Sequence, residues 1–246
     1  MRTITSEDIL HIWQTGRSRH PIDRALTILS AGMSDEDRHK PASLRVGERD
    51  KQLLLLRRNL FGDTMPGMAT CPQCTSRLEF DISIKNILEE VEQTDQNTDE
   101  ITIDEYSIRI RYPNSYDLAA IAGDENHDNA IWNLMKRCIS VSAGVRENDS
   151  IDVGDLPAPV LEKISRELET GDPFSSISFL LACPDCRHRW KTILDIGAYF
   201  WEEIRIEAIR LLRDIHLLAR SYGWTEKDIL SIPPERRQLY LDMITA

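Results

Sequence analysis

Four of the five cysteines in this 246-residue chain fall in two copies of a Cys-Pro-x-Cys motif, at Cys71–Cys74 and Cys183–Cys186. A two-residue gap turns both sulfurs toward one point, so such a pair is either half of a four-thiolate zinc site or a redox dithiol. Two copies favour zinc, because a closed tetrahedral site needs four ligands. We therefore predict one structural zinc ion, bound by Cys71, Cys74, Cys183 and Cys186.

The alternatives for these cysteines are a redox dithiol, as in a redox enzyme, a disulfide and metal-free thiols. A redox pair is typically found at the start of a helix, and neither pair is followed by helical sequence. Four thiolate ligands would also leave no open position for a substrate, which disfavours a catalytic zinc. His188 is a possible substitute ligand, but we interpret it as a surface residue at a strand entrance. The fifth cysteine, Cys138, is predicted to be a small core residue of a helix.

The residues after each cysteine pair alternate in hydrophobicity as a β-strand does, at Arg77–Ile84 and His188–Ile196. A cysteine turn followed by a strand, occurring twice, is typical of a zinc ribbon. However, 108 residues separate Cys74 from Cys183, whereas a compact ribbon has roughly 15–20. We therefore predict an α+β fold in which a zinc-ribbon-like β unit carries a long insertion, flanked by N-terminal helices and a C-terminal helical unit.

The predicted domains follow from this interrupted ribbon. They are an N-terminal helical segment (1–70), a zinc-ribbon-like unit (71–196, with ribbon residues 71–84 and 176–196 around an inserted α/β segment 85–175) and a C-terminal helical unit (197–246). Eight acidic residues and no basic one between Glu89 and Glu105 predict a solvated loop in the insertion.

Capping residues, glycine stops and apolar spacing predict the helices. The predicted helices span about 5–14, 21–29, 47–61, 115–122, 129–140, 157–169, 197–222 and 235–244, with a further short helix that begins at Thr225. Alternation over residues 101–112 predicts a β-hairpin in the insertion.

The composition argues against several classes of protein. Acidic residues outnumber Lys and Arg by 41 to 30, for a formal net charge of −11, whereas general nucleic-acid binding needs a surplus of cations. No apolar run approaches the ~20 residues of a membrane span and no leader opens the chain, so we expect a cytoplasmic protein without a membrane partner. Phosphate-loop, dinucleotide and hydrolase motifs are missing, so we expect neither enzymatic activity nor a small-molecule substrate.

Several segments together resemble a known family. The segments are Leu44–Asp50, Leu53–Arg57, Leu60–Gly62, Leu78–Phe80, Cys183–Trp190, Phe200–Glu203, Leu211–Trp224, Ile229–Leu230 and Arg236–Leu241, with both cysteine pairs. Across about residues 21–244, outside much of the insertion, they resemble the T-even phage baseplate proteins, often described as baseplate hub assembly chaperones of contractile phage tails and related injection systems.

The resemblance implies a non-enzymatic assembly factor, or a minor component, of the baseplate hub. Its partners would then be hub or spike proteins, and it would be found in the cytoplasm of the host or producing cell, or incorporated into a tail-like particle. A permanent baseplate subunit is the alternative to a transient chaperone. A zinc-ribbon nucleic-acid-binding or transcription-related module is the alternative outside the family.

Candidate partner-binding residues lie in the C-terminal unit, because aromatic residues are enriched at interface hot spots and arginines can contact an acidic partner. They are Tyr222, Trp224, Arg236, Arg237 and Tyr240. Core packing is the alternative role for the aromatic residues, and pairing with nearby carboxylates such as Asp214 is the alternative for the arginines.

Overall fold

The structure is a computed structural model, and it describes residues 2–34, 37, 40–92, 100–143 and 150–245. The fold is α+β, as predicted. The helices are α1 Ser6–Gly16, α2 Pro21–Gly32, α3 Val46–Phe61, α4 Ile84–Glu92, α5 Ser115–Ile121, α6 His127–Cys138, α7 Ala158–Thr170, α8 Ile196–Tyr222, α9 Glu226–Ser231 and α10 Pro234–Thr245. The strands are β1 Thr64–Thr70, β2 Arg77–Ser83, β3 Glu100–Ile103, β4 Tyr106–Ile110, β5 Ile139–Ala143, β6 Ser150–Ile151, β7 Ser178–Ala182 and β8 Arg189–Ile193.

The chain forms two compact units. Residues 1–38 and 197–246 make the first unit, and residues 39–196 make the second. The N-terminal segment 1–70 is therefore divided between the two units, and its first part groups with the C-terminal helices.

Helices of the first unit begin where the sequence predicts. Thr5 accepts a hydrogen bond from the Asp8 amide, and the Asp8 carboxylate accepts one from the Thr5 amide, before α1. Thr225 and Asp228 form the same reciprocal pair before α9. These capping boxes satisfy amides that have no partner within the helix.

The long helix α8 supplies much of the first unit's interior. Its residues Phe200, Ile204, Ala208 and Leu211 are fully buried, at the three-and-four spacing of one helix face. Gly16 ends α1 beside this helix, and a Cβ atom there would lie 2.5 Å from the Trp201 ring. The missing side chain therefore allows α1 and α8 to approach closely.

The second unit contains three antiparallel sheets within its described residues: the hairpins β1–β2 and β7–β8, and a four-stranded sheet in the order β3–β4–β5–β6. The four-stranded sheet packs with α6 and α7 around one apolar cluster. The most buried members of that cluster are Ile108, Ile164, Ile110, Cys138 and Val160.

Two segments of the insertion differ from the predictions. The predicted helix 129–140 ends at Cys138, and β5 begins at Ile139, because Ile139 and Val141 alternate with serines and bury one strand face. Helix α4 replaces the start of the predicted acidic loop, because its apolar residues share one helix face, including the buried Ile84, Ile87 and Leu88. Residues 93–99 of that loop lie outside the described residues.

Candidate metal centre

The four cysteines predicted to bind one metal ion lie together in the second unit. Their sulfur atoms all lie within 4.8 Å of one another. The Sγ atoms of Cys71 and Cys186 are 3.6 Å apart, and those of Cys74 and Cys183 are 3.5 Å apart. Both short contacts join one cysteine pair to the other, although more than a hundred residues separate the two pairs.

Each cysteine pair occupies the connection of an antiparallel hairpin. Cys71 directly follows β1 and Cys183 directly follows β7, and the return strands β2 and β8 begin six residues after these cysteines. The terminal residue pairs of the two ladders also correspond, Thr70 with Arg77 and Ala182 with Arg189. The sequence predicted a strand only after each cysteine turn, and the structure adds a strand before it.

The two turns have the same backbone structure. In the first, the Thr75 amide donates to the Cys71 carbonyl and the Cys71 amide donates to the Ser76 carbonyl, both at 2.9 Å. In the second, Arg187 and Cys183 make the corresponding bonds at 2.9 Å. Thr75 and Arg187 have φ angles of 62° and 61°, so the residue after each second cysteine is left-handed. Both turns therefore direct two sulfurs toward the same point.

Burial differs within each pair. Cys71 and Cys183 are buried, whereas Cys74 is half-buried and Cys186 is exposed. The cluster therefore has an inner side in the protein and an outer side that solvent can reach. A chelator or a thiol reagent can approach the centre from that outer side.

The sulfurs influence one another's ionisation. Hydrogen bonding with the side chain and the amide of Ser76 lowers the pKa of the Cys74 thiol to about 6. The amide of His188 acts to lower the pKa of Cys186, but local desolvation of the sulfur and hydrogen bonds with the other thiols raise it to about 12. Without a cation, this crowded cluster resists complete ionisation. A bound divalent cation reverses that preference, because metal binding displaces the thiol protons.

The arrangement suits a soft metal ion. Four thiolates within reach of one point match the closed tetrahedral coordination that structural zinc sites use. The cluster is therefore able to bind a metal ion such as zinc.

The other two residues considered as ligands or thiols, His188 and Cys138, are not part of the four-sulfur cluster. His188 is half-buried, and its ring stacks on Trp190 with centroids 6.0 Å apart. Cys138 is buried at the end of α6, as predicted, and burial raises the pKa of its thiol to about 11. A thiol that stays protonated at neutral pH is a weak nucleophile, so Cys138 has the character of a core residue.

The predicted partner-binding residues belong to the first unit. Trp224 stacks on Tyr222 at a centroid distance of 4.6 Å, and Tyr240 contacts Trp224 edge-on at 5.0 Å. Arg236 is exposed. Arg237 is 3% exposed, and its guanidinium lies 3.9 Å from Asp214 and 3.4 Å from the Ser6 hydroxyl.

Arg237 is therefore an interior residue and not part of an exposed surface. One residue along a helix rotates the side chain by about 100°, which separates it from Arg236. Two exposed apolar residues of α10 were missed, Leu239 and Met243, at 59% and 70% exposure. Helical spacing alone does not distinguish an exposed apolar residue from a buried one.

No helix in the described part of the chain is long and apolar enough to cross a membrane.

Comparison with known proteins gives one family. No curated protein and no solved structure matches the chain. Residues 3–201 match the family described as T4 bacteriophage base plate protein. The match includes both cysteine pairs and stops near the start of α8, so the C-terminal segments from Leu211 onward that suggested the resemblance lie outside it. Because the match covers most of the chain, the protein belongs to the T4 bacteriophage base plate protein family.

Proposed function

We propose that this protein is a non-enzymatic assembly factor or minor component of the baseplate hub in a contractile tail. It acts by protein binding, on a scaffold held together by one structural zinc ion. The family match over residues 3–201 is the observation that carries the baseplate role. The hub position and the assembly role rest on the resemblance of individual segments to hub assembly chaperones.

The zinc is supported by the geometry of the hairpins. Isolated two-stranded hairpins are marginally stable in water, and β7–β8 has no buried strand residue. A metal ion at the four sulfurs would tie the turn of β7–β8 to the turn of β1–β2 and so close the insertion between them. The two hairpins and the ion would form the zinc-ribbon-like unit.

A zinc-ribbon nucleic-acid module is the competing function. The net charge of −11 argues against it, because sequence-independent nucleic-acid affinity comes from cations that neutralise phosphates. A titration with DNA and RNA at low and high salt distinguishes the nucleic-acid module from the baseplate protein. Tight binding that weakens steeply with salt would favour the nucleic-acid module.

The baseplate role is tested in the cells that produce the tail. Deleting the gene should give tails without complete baseplates, counted by negative-stain electron microscopy. Expression of the wild-type chain should restore them. A chain with all four clustered cysteines changed to serine should not, whereas Cys138→Ala should restore them as the matched control. Normal tails in the deletion strain would contradict the proposal.

Quantitative mass spectrometry of the purified tails then distinguishes a permanent baseplate subunit from a transient assembly chaperone. A fixed number of copies per tail indicates a permanent subunit. Near absence from finished tails, combined with failed assembly in the deletion strain, indicates a transient chaperone.

A further inference from the structure

The closest sulfur contacts in the cysteine cluster join one hairpin to the other. Cys71 Sγ lies 3.6 Å from Cys186 Sγ, and Cys74 Sγ lies 3.5 Å from Cys183 Sγ. We call these two contacts the cross-hairpin pairs. A disulfide bond is about 2.05 Å long, so small movements of the side chains are sufficient to close either pair.

Each cross-hairpin pair combines a sulfur that solvent reaches with a sulfur that the protein covers. In the first pair, Cys186 is exposed and Cys71 is buried. In the second pair, Cys74 is half-buried and Cys183 is buried. Cysteines that respond to oxidants are solvent-accessible and often lie beside a second thiol that completes a disulfide. Both pairs have this arrangement.

A component of a finished tail passes from a reducing to an oxidising environment. The cytoplasm keeps thiols reduced, whereas the surface of a virus particle is oxidising. A metal site binds its cysteines as thiolates, which is the form that reacts with oxidants. A tail component with this cluster therefore meets oxidants with four reactive sulfurs close together.

We propose that the cluster is an oxidation site, at which a peroxide converts the cross-hairpin pairs into two disulfides. One joins Cys71 to Cys186 and the other joins Cys74 to Cys183, and they replace the metal ion as the link between β1–β2 and β7–β8. This inference rests on the proposed zinc site in a tail component and names the regulation of that site.

The chemistry needs one peroxide for each disulfide. The accessible sulfur attacks one oxygen of hydrogen peroxide, the O–O bond breaks, and a sulfenic acid and a hydroxide ion form. The buried sulfur then attacks the sulfenic sulfur, which forms the S–S bond and releases a second hydroxide ion. The two sulfurs lose two electrons and the peroxide gains them. Two peroxides per chain therefore oxidise all four sulfurs, and none remains a metal ligand.

Chain topology favours bonds between the hairpins over bonds within one turn. A disulfide within a Cys-Pro-x-Cys turn spans two intervening residues, whereas either cross-hairpin bond closes a loop of more than a hundred. In the chain-entropy account, a cross-link over a longer loop restricts the unfolded chain more and so stabilises the fold more. Only the cross-hairpin bonds also keep the two hairpins connected.

The test uses the full chain, purified in its reduced form with its metal and then treated with hydrogen peroxide in the absence of other thiols. Two equivalents should remove four thiols per chain and free the bound zinc, as measured by thiol titration and a colorimetric chelator. Digestion without reductant should give the peptide of Cys71 and Cys74 linked to the peptide of Cys183 and Cys186. Separate peptides with internal disulfides, or sulfinic acids at these positions, would overturn the inference.

Cys138 is the internal control, because it is buried in the apolar cluster of the four-stranded sheet. It should remain a free thiol after two equivalents of peroxide. Oxidation of Cys138 as rapidly as the clustered cysteines would show that the reaction does not select the cross-hairpin pairs.

Two double variants test the need for an accessible sulfur. Cys71→Ser with Cys186→Ser keeps Cys74 and Cys183, of which one is half-buried. Cys74→Ser with Cys186→Ser keeps Cys71 and Cys183, which are both buried. Both variants lose two ligands, so the loss of metal affects them alike. The first should form its disulfide about tenfold faster, and equal rates would overturn the role of the accessible sulfur.

Amide exchange tests whether the disulfides replace the metal ion. Exchange in β7–β8 should be as slow in the oxidised chain as in the zinc-bound chain, and about tenfold faster in the reduced chain after chelation. Fast exchange in the oxidised chain would show that the disulfides do not maintain the link.

Metal content before oxidation distinguishes failure of this inference from failure of the proposed function. A chain that holds one zinc ion but forms no cross-hairpin bond contradicts the oxidation site and leaves the structural zinc in place. A chain purified without metal contradicts both the zinc and its replacement by disulfides. The baseplate role is decided separately, by the tails of the deletion strain.

Discussion

In the second unit, the four-stranded sheet β3–β6 and the two cysteine hairpins differ in how much apolar surface their strands bury. The sheet surrounds an apolar cluster in which Ile108 and Ile164 are fully buried. Hairpin β1–β2 buries only Met65 and Ile82 among its strand residues, and β7–β8 buries none. Strands that bury so little apolar surface need another source of stability, and the proposed zinc ion at the four sulfurs would supply it.

Substitution of a cysteine in the cluster should give the largest difference between the two regions, because it should affect the hairpins and leave the sheet nearly unchanged. Cys183→Ser should reduce bound metal from one ion per chain to near zero, because three thiolates no longer complete the closed site. Amide exchange in β1–β2 and β7–β8 should accelerate by an order of magnitude or more, since metal binding energy is folding energy in such sites. Exchange in β3–β5 should change little. Elemental analysis and hydrogen exchange measure both quantities.

Cys138→Ala is the control for this substitution, because Cys138 lies in the apolar cluster of the sheet and not at the metal centre. It should retain one ion per chain. Full metal content in Cys183→Ser, or thiols that react freely in the wild type before chelation, would contradict a structural zinc ion at the four sulfurs.

A cavity in the apolar cluster of the sheet should lower the stability of the fold and leave the metal content unchanged, in contrast to Cys183→Ser. Ile108→Ala, at a fully buried position of β4, should lower the free energy of unfolding by about 2–5 kcal/mol, because it leaves unfilled space in a packed core. Metal content should remain at one ion per chain. Denaturant unfolding with elemental analysis checks this, and a loss of metal would show that the two regions are not independent.

A smaller effect is expected at the polar edge of the sheet region. The Asp117 carboxylate accepts hydrogen bonds from Arg111 and Arg137 at 2.6 and 3.0 Å and also caps α5. Asp117→Asn should lower the free energy of unfolding by about 1.5–3 kcal/mol at pH 7, the range for hydrogen bonds to charged groups.

The stabilisation by Asp117 should depend on pH, because it requires the ionised carboxylate. Burial opposes ionisation, but the two arginines and the Asn114 amide outweigh it and hold the pKa of Asp117 below its ordinary value of 3.8. The ionised group therefore stabilises the fold above about pH 4, and that contribution is lost as the pH falls through the lowered value. The difference between wild type and Asp117→Asn, followed by exchange in α5 and α6, should shrink over that range. A difference that stays constant down to pH 2 would contradict this assignment.

The smallest effect concerns the turn backbone. Arg187 has a φ of 61°, a conformation that costs a non-glycine residue about 1–2 kcal/mol. Arg187→Gly relieves this cost but increases the entropy of the unfolded chain, so a net gain of about 0.5 kcal/mol is expected. Arg189→Gly, two residues later in β8, should instead lose about 0.5–1 kcal/mol. Thermal unfolding of the metal-bound proteins should therefore show a higher melting temperature for Arg187→Gly and a lower one for Arg189→Gly.

Local signals in the sequence predicted much of this structure. The capping pairs at Thr5 and Thr225 are confirmed, and so are the long helix α8 and the hairpin β3–β4. These features depend on residues close together in the chain, whose spacing is sufficient to indicate them. Strand β5 was missed because a short run such as Ile139–Ala143 suits a helix end as well as a strand, and only pairing with β4 decides between them.

Residue types and spacing were sufficient to identify the four cysteines as one candidate site, because two Cys-Pro-x-Cys turns provide four thiolates whatever lies between them. Only the tertiary structure decided that the two turns meet, with sulfurs 3.5 and 3.6 Å apart. The same holds for α10. Its sequence shows arginines and apolar residues, but packing decided that Arg237 is inside and that Leu239 and Met243 are outside. Which side of a helix is buried depends on the neighbours it packs against, and these neighbours are distant in the sequence.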